Sequence, residues 1–359
     1  MNKLMQEKAL GLAILTLAVA FPLEHALLEM GLGAVGLSFA VIFAVILTAA
    51  FRVAHHAEIL AEKLGEPYGT LILTGAAVGV EVIMLVILMT SSHNPTLVRD
   101  TIYAALMLDI NGILGIAAII GGIQHGEQKY NVDSSNSYIA MILAAVGIGM
   151  VVPDFIEPHH WRTYSVFSIL AMAAMYVAFT RLQTIEHRYF FEWKSAEAEE
   201  HHDHHAAGGE SIGYSGTMLV VYIAVIGVLA ELLSVFMNVG LEATGLPLAL
   251  AAVSVAVISA SPEILTALRA ARADRMQTAI NIALGASLAT VLMTIPVVEA
   301  IALFTGTDIF MGLTPLQGGM ILLTMLVTMI NLNNGETNAL EGMVHFVLFL
   351  AFGVLLFLV

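Results

Sequence analysis

Residues 71–89 read LILTGAAVGVEVIMLVILM, an apolar run that one carboxylate, Glu81, interrupts near its middle. About 20 apolar residues are enough to cross the hydrocarbon core of a membrane as a helix. An ionised carboxylate at that depth costs about 2.5–3.5 kcal/mol on insertion scales, so its presence favours a functional role over a packing role. Gly75 and Gly79 precede it, and we expect them to allow another backbone to approach closely. The stretch predicts a transmembrane helix with a functional glutamate near its centre.

The composition of the whole chain points the same way. Of 359 residues, 59% are hydrophobic and 11% are charged, whereas soluble domains carry about 25% charged residues. A net charge of −15 argues against nucleic acid, which needs a basic surface. The lack of cysteine excludes disulfides, thiolate metal sites and cysteine nucleophiles. We expect no cleavable signal peptide, since no small-residue cleavage pattern follows Lys3 and Lys8.

Eleven apolar spans follow one another along the chain, so the sequence predicts an all-α polytopic membrane protein. The spans are continuous rather than alternating in polarity, which excludes a transmembrane β-barrel. They are expected near 9–28, 35–60, 68–91, 96–123, 136–152, 163–184, 213–238, 246–269, 276–304, 314–331 and 337–359.

Basic residues predict the orientation of these spans. With a cytoplasmic N-terminus and alternating spans, Arg99 and Arg162 lie outside and the other basic residues lie inside. This asymmetry follows the positive-inside rule. The sequence therefore predicts a cytoplasmic N-terminus and a C-terminus on the outer side.

Two five-helix blocks resemble each other at an offset of 176 residues. The offset places Asn111, in LDING, on Ser287, in LGASL. Because each block has an odd number of spans, the second block should be inverted relative to the first. Inverted repeats are typical of secondary transporters, which bind substrate near the middle of the membrane. The predicted organisation is an N-terminal helix at 1–32, repeats at 33–185 and 213–359, and an acidic, His-rich cytoplasmic loop at 186–212.

Glu263 is the carboxylate of the second repeat, and several oxygen donors precede it. Pro262 has no N–H, so the carbonyl of Ile258 loses its helical hydrogen-bond partner. Ser259 and Ser261 add hydroxyls. Hard cations such as Ca²⁺ take 6–8 oxygen ligands from carboxylates, carbonyls and waters. The pattern predicts a cation site, although a proline kink needed only for packing would use the same residues.

Polar residues on the helix after each glutamate are further candidates for the binding site. Asp109, Asn111, Asn281 and Ser287 could orient the glutamates or serve as ligands themselves. Asp109 has no acidic counterpart in the second repeat, so both a structural role and a role in proton transfer stay open. The His-rich loop is interpreted either as a local concentrator of cations or as a solvated linker.

The chain resembles the calcium/cation exchanger superfamily, and within it the bacterial ChaA-type calcium/proton antiporters, which can also exchange Na⁺ and K⁺. The resemblance implies a bacterial inner-membrane transporter in which Glu81 and Glu263, one from each repeat, bind the transported cation and protons. Many members carry Gly-Asn-Ala-x-Glu at both sites, whereas this chain has AVGVE and SASPE, so the monovalent alternative stays open. The likeness rests on HAEILAEKLGEPYG at 56–69, GVEVIM at 79–84, RDTIYAALM at 99–107, SPEILTALRAA at 261–271 and GETNALEGMVH at 335–345.

The residues also indicate how exchange would be coupled. Two buried carboxylates cannot both stay ionised and empty, so either protons or a cation must neutralise them. Exchange of cytoplasmic Ca²⁺ for protons is therefore the predicted function, with Na⁺ or K⁺ exchange as the alternative in the same fold. A cation channel or an intramembrane enzyme is the alternative of another class, but the spans contain no nucleophile or metal triad. We expect no enzyme activity and no cofactor, only transported ions and membrane lipid as partners.

Overall fold

The computed structural model describes residues 7–65, 68–92, 94–186 and 211–358, and nearly all of them are helical. Two short strands, β1 (Gln128–Lys129) and β2 (Glu336–Thr337), pair antiparallel. The helices are α1 (Lys8–Glu29), α2 (Leu32–Leu64), α3 (Tyr68–Ser92), α4 (Leu97–Leu106), α5 (Leu114–His125), α6 (Val132–Val146), α7 (Trp161–Arg181), α8 (Ile212–Thr244), α9 (Ala249–Arg272), α10 (Met276–Ala289), α11 (Ile295–Thr305), α12 (Pro315–Asn331) and α13 (Ala339–Leu358).

Wider π-helical turns continue or join several of these helices. Met107–Ile113 links α4 to α5, and Thr290–Thr294 links α10 to α11. Gly147–Val151 extends α6, and Leu182–Glu186 extends α7. Tighter 3₁₀ turns follow at Val152–Phe155 and Pro158–His160. The links make α4–α5 and α10–α11 two continuous spans, Leu97–His125 and Met276–Thr305.

The predicted all-α membrane fold is confirmed. Each of the eleven expected spans coincides with a helix or a continuous pair of helices, and ten of these in the described residues are long and apolar enough to cross a membrane. The eleventh, α12, has 17 residues, somewhat short of the roughly 20 that a perpendicular crossing needs. It begins at a capping box, in which Thr314 and Gln317 cap each other's backbone N–H groups.

The described chain forms two compact units, and each takes helices from both predicted repeats. Unit 1 comprises 1–97 and 207–262, and unit 2 comprises 98–206 and 263–359. The boundary falls within α9, after Pro262. The predicted division into repeats stays a prediction, and most of the His-rich loop at 186–212 lies outside the described residues.

Helix α2 forms the core of unit 1, where it packs along α8 and also contacts α1 and α3. Its buried face repeats at helical spacing through Ile42, Ile46, Ala49 and Val53, as expected for a helix that is apolar on its packed side. Phe236 of α8 belongs to the same buried cluster.

In unit 2 the closest packing is between α5 and α13, and glycine makes it possible. A Cβ on Gly115 would lie 2.9 Å from the backbone nitrogen of Phe346, and one on Gly342 would lie 2.7 Å from the carbonyl oxygen of Gly115. No larger residue fits at either position without a shift of backbone. Small residues that let backbones approach are typical of helix crossings in membranes.

Candidate cation and proton site

Glu81 lies in α3 of unit 1, and 3% of its surface is exposed. The helix packs against α2 and α8. The expected close backbone approach beside Glu81 is wrong for Gly75, around which no described atom lies within 4 Å of a Cβ position. Gly79 instead faces the side chain of Ile223 on α8, at 3.4 Å. Gly79 therefore packs against a side chain of α8, and the close backbone crossing lies elsewhere, between α5 and α13.

The polar residues before Glu263 are engaged within α9. The Ser261 hydroxyl donates to the carbonyl of Ile258 at 2.8 Å, replacing the N–H that Pro262 lacks. The Ser259 hydroxyl lies 3.2 Å from the carbonyl of Val255 and 3.1 Å from that of Ala256. Each oxygen keeps a free lone pair after these bonds, so Ile258 and Ser259 as cation ligands stay a prediction.

Unit 2 contains the other candidate residues, beginning with Glu263, which is partly buried. Asp109 lies in the π-helical segment 107–113, in which every residue is buried. The hydroxyl of Ser287 donates to Asp109 Oδ2 at 3.2 Å. The structure thus brings together two positions that the sequence analysis chose separately, one from each predicted repeat. Single π turns inside helices are frequent at functional sites because they re-aim side chains.

Asn111, in the same π-helical segment, organises a second buried cluster. Its amide nitrogen donates to Thr324 Oγ1 of α12 at 2.8 Å, and its Oδ1 lies 3.1 Å from Nδ1 of His345. Because that oxygen can only accept, His345 must donate from Nδ1. Nε2 is buried and has no hydrogen-bond partner among the described residues. The cluster thus links the π-helical segment to α12 and α13 through two buried hydrogen bonds of Asn111.

Asn281 lies in a different network, at the start of α10. Its Oδ1 accepts from Gln277 at 2.8 Å, and the same Gln277 nitrogen lies 2.9 Å from Ser134 Oγ. Gln277 also accepts from the backbone nitrogen of Asn131, at 2.6 Å. These bonds tie α10 to the start of α6, so they support a positioning role for Asn281.

Four buried polar residues were not selected as candidates from the sequence, although the structure shows that they are buried or lie in polar clusters. Thr324 has no sequence signature of its own, and His345, although it ends the quoted stretch GETNALEGMVH, is connected to the candidate residues only through its contact with Asn111. Glu299 could have been found, because it is a carboxylate inside an apolar span, the criterion that selected Glu81. Glu7 could not, because it precedes the first span and its partners are far away in sequence.

Glu7 belongs to a buried ionic cluster in unit 1, here called the Glu7 cluster: Glu7, Arg52, His56, Tyr214 and Tyr222. Arg52 donates to both carboxylate oxygens, at 2.7 and 3.1 Å, and Tyr222 donates at 2.6 Å. Burial alone would raise the pKa of Glu7, but the hydrogen bonds and charge of Arg52, together with Tyr222 and His56, hold it below its ordinary value. The cluster joins the start of α1 to α2 and α8.

The described residues contain one group of side chains spaced for a metal ion. Glu157, His159 and His160 place their ligand atoms within 4.8 Å of one another, and all three are exposed. Exposed acidic groups of this kind are common on protein surfaces, so the group does not by itself indicate a metal centre.

Known proteins resemble this chain over nearly its whole length. A putative ionic transporter, y4hA, of Sinorhizobium fredii is 34% identical over 85% of this chain and 84% of its own. The sodium-potassium/proton antiporter ChaA of Escherichia coli is 32% identical over 87% of this chain and 86% of its own. The solved structure of native YfkE superimposes with a TM-score of 0.75, at 18% identity, over 97% of this chain and 100% of its own.

The family model described as sodium/calcium exchanger protein matches residues 35–185 and 214–358. The two matched segments correspond to the two predicted repeats and omit the His-rich loop. They contain every residue proposed for the binding site, from Glu81 to Ser287. The chain is an integral membrane transporter, not an enzyme, and it belongs to the sodium/calcium exchanger family.

Proposed function

We propose that this exchanger moves Ca²⁺ out of the cytoplasm in return for protons. The observation that carries the proposal is the pair of carboxylates, Glu81 and Glu263, one on a span of each predicted repeat. Two carboxylates carry the charge that one Ca²⁺ or two protons would neutralise. The chain would reside in a bacterial inner membrane, with its N-terminus in the cytoplasm and its C-terminus outside.

Coupling follows from competition for the same oxygens. The charged carboxylate is the cation ligand, and protonation removes that charge, so proton and cation exclude each other. An ionised pair with no cation is unfavourable in a low-dielectric environment. The transporter would therefore change conformation in two neutralised states, one with protons bound and one with the cation bound. Alternating access would expose these states to each side in turn.

The remaining candidates would complete or orient the ligand set. The carbonyl of Ile258 and the hydroxyl of Ser259 are oxygen donors within two turns of Glu263 on α9. Asp109 and Ser287 form a hydrogen-bonded pair at 3.2 Å, and Asn111 is fixed by Thr324 and His345. Hydrogen bonds of this kind orient ligands, and losing them typically costs 10- to 100-fold in affinity at metal sites.

Exchange of Na⁺ or K⁺ for protons is the second candidate. The relative named as a sodium-potassium/proton antiporter is 32% identical over most of both chains. A relative from Bacillus subtilis named as a calcium/proton antiporter is 22% identical over 64% of this chain. Sequence similarity thus favours the monovalent ions, whereas the two-carboxylate charge favours the divalent ion.

Transport by everted membrane vesicles distinguishes the candidates. A pH gradient is imposed, and its dissipation is followed after addition of Ca²⁺, Na⁺, K⁺ or Mg²⁺ in separate experiments. Dissipation by Ca²⁺ at the lowest concentration supports the proposal. Response to Na⁺ or K⁺ alone would assign the monovalent function, and ion flux that needs no proton gradient would indicate a channel. Vesicles that contain a Glu81→Gln variant provide the background.

A further inference from the structure

Glu299, on α11 of unit 2, is a buried carboxylate that the proposed exchange mechanism does not use. Only 2% of its surface is exposed, and its Oε2 atom has no hydrogen-bond partner among the described residues. No described ion pair includes Glu299, and residues 276–305 contain no lysine, arginine or histidine. A carboxylate that lacks a counter-charge in an apolar environment is expected to hold a proton or to bind a cation.

The packing of α7 against α11 fixes what surrounds Glu299. Met172 of α7 and Ile295 of α11 meet beside Gly149, and Ser168 lies next to Glu299 one turn further along. Trp161 and Leu303 line one pocket at the end of the pair. The two helices therefore run antiparallel, and Ser168 of α7 lies beside the carboxylate, with Ser165 about one turn closer to the pocket along α7.

Both serine hydroxyls are as buried as the glutamate. Ser165 is 1% exposed and Ser168 is 0% exposed. The Ser168 hydroxyl lies within weak hydrogen-bonding reach of the Glu299 carboxyl group, and the Ser165 hydroxyl has no hydrogen-bond partner among the described residues. Buried hydroxyls in native proteins are normally hydrogen-bonded. Glu299 and Ser168 therefore form a small polar site between α7 and α11, with the buried Ser165 about one turn away along α7.

A pocket of about 350 Å³ opens at the end of the same helix pair. Its lining includes His159 and Arg162 on one side and Leu303 and Asp308 on the other. Leu303 is one helical turn from Glu299, so the pocket ends about one turn, roughly 5 Å, from the carboxylate. The pocket thus lies close to the buried carboxylate along α11.

Few other titratable groups face Glu299. Tyr164 of α7 interacts electrostatically with Glu299, but its hydroxyl donates to the carbonyl of Ile148 at 2.6 Å and is thus occupied. The π-helical segments 147–151 and 290–294, which lie against α7, carry no titratable side chain. His159, Arg162 and Asp308 are at the pocket. The carboxylate can therefore change its protonation state without breaking an ion pair.

We propose that Glu299, with Ser168 beside it, is a proton-binding site that protons reach from this pocket, separate from Glu81 and Glu263, the carboxylates proposed to bind the transported cation. The ligand is a proton, delivered by water in the pocket and held by the carboxyl group. The site does not depend on the proposed transport function, because protonation of Glu299 requires no cation.

Labelling with dicyclohexylcarbodiimide tests the site directly, since the reagent is apolar and reacts with protonated carboxyl groups. Purified full-length protein is labelled across about pH 5 to pH 9, and the adduct on the peptide that contains Glu299 is quantified by mass spectrometry. We expect labelling that falls roughly tenfold per pH unit above the titration midpoint. The Asp308→Asn variant is the matched control, because it removes an exposed carboxylate from the pocket and should leave the labelling of Glu299 unchanged.

Infrared difference spectroscopy gives a second, independent measurement. The wild type should show a protonated-carboxyl band that disappears with rising pH and is missing in Glu299→Gln. Absence of labelling at Glu299 throughout the pH range would overturn the proposal, and so would pH-independent labelling, which would mean a permanently protonated structural residue. The labelling experiment uses the wild type, so it tests the proposal even if the Glu299→Gln variant does not fold. Neither readout uses transport, so failure here leaves the exchange function untouched.

Discussion

Glu7 and Glu299 are carboxylates buried to nearly the same extent, one in each unit, but their surroundings differ in charge. Glu7 is 3% exposed and has Arg52 2.7 Å away, with two tyrosines and a histidine around it. Glu299 is 2% exposed and lies beside Ser168. A fixed counter-charge makes a buried carboxylate part of the structure, whereas its absence leaves the carboxylate able to exchange protons or cations.

The largest effect should distinguish Glu81 and Glu263, the glutamates proposed to bind the transported ions, from Glu7. We expect Glu81→Gln and Glu263→Gln each to reduce proton-coupled exchange to background in vesicles while leaving membrane insertion intact. Glutamine keeps the size and polarity of the side chain but can neither titrate nor neutralise a cation. Glu7→Gln is the matched control from an equally buried position, and it should retain exchange. Full exchange by either of the first two variants would remove that residue from the mechanism.

The Glu7 cluster should affect stability instead. Arg52→Met leaves the carboxylate of Glu7 buried without its counter-charge, so we expect a loss of about 1–3 kcal/mol in the free energy of unfolding. The double variant with Glu7→Gln should recover part of that loss, because the unpaired charge is gone. Thermal unfolding in detergent measures both. Equal stability of the wild type and Arg52→Met would show that the ion pair contributes nothing.

The stability contribution of the Glu7 cluster should also depend on pH. The pKa of Glu7 is held below its ordinary value of 4.5, so the folded protein binds this proton less tightly than the unfolded chain. The contribution is therefore fully present above about pH 4.5 and is lost as pH falls through the lowered pKa. Unfolding temperatures measured from neutral to acidic pH should fall more steeply for the wild type than for Glu7→Gln.

A pair of threonines on α12 tests the orientation of Asn111. Thr324→Val removes the hydroxyl that accepts from the Asn111 amide, and we expect cation affinity to fall roughly tenfold. Thr328→Val, one turn along, is the matched control: it is equally buried, and its hydroxyl bonds only to the carbonyl of Thr324 among the described residues. Equal affinities in the two variants would mean that Asn111 does not position the ligands.

The smallest effect is expected from the His-rich loop. Deletion of about residues 195–210 should leave exchange present but change its dependence on cytoplasmic cation or pH, since the histidines titrate near neutrality. Flux at several cytoplasmic pH values in vesicles measures this. Complete loss of transport in a well-folded deletion would place the loop in the transport pathway.

Much of the fold could be predicted from the sequence because hydrophobic span length is a local property. The boundaries of α2 and α8 extend beyond the expected spans, and α12 is shorter than a full crossing, because helix ends depend on capping and packing. The site was only partly predictable. The pairing of Asp109 with Ser287, and of Asn111 with Thr324 and His345, joins residues 178 to 234 positions apart, and no sequence periodicity encodes such contacts.

Cation and proton are proposed to compete for Glu81 and Glu263. The decisive measurement is the affinity of the purified protein for its cation across a pH series. Protonation removes the charged ligand, so the affinity for the cation should be retained at high pH and should weaken as pH falls. If the two carboxylates act on one cation, the change should follow macroscopic steps that belong to the pair, and Glu81→Gln and Glu263→Gln should each lose tight binding. A wild-type affinity that does not change with pH would mean that cation and proton use different sites, and it would contradict the shared-carboxylate mechanism.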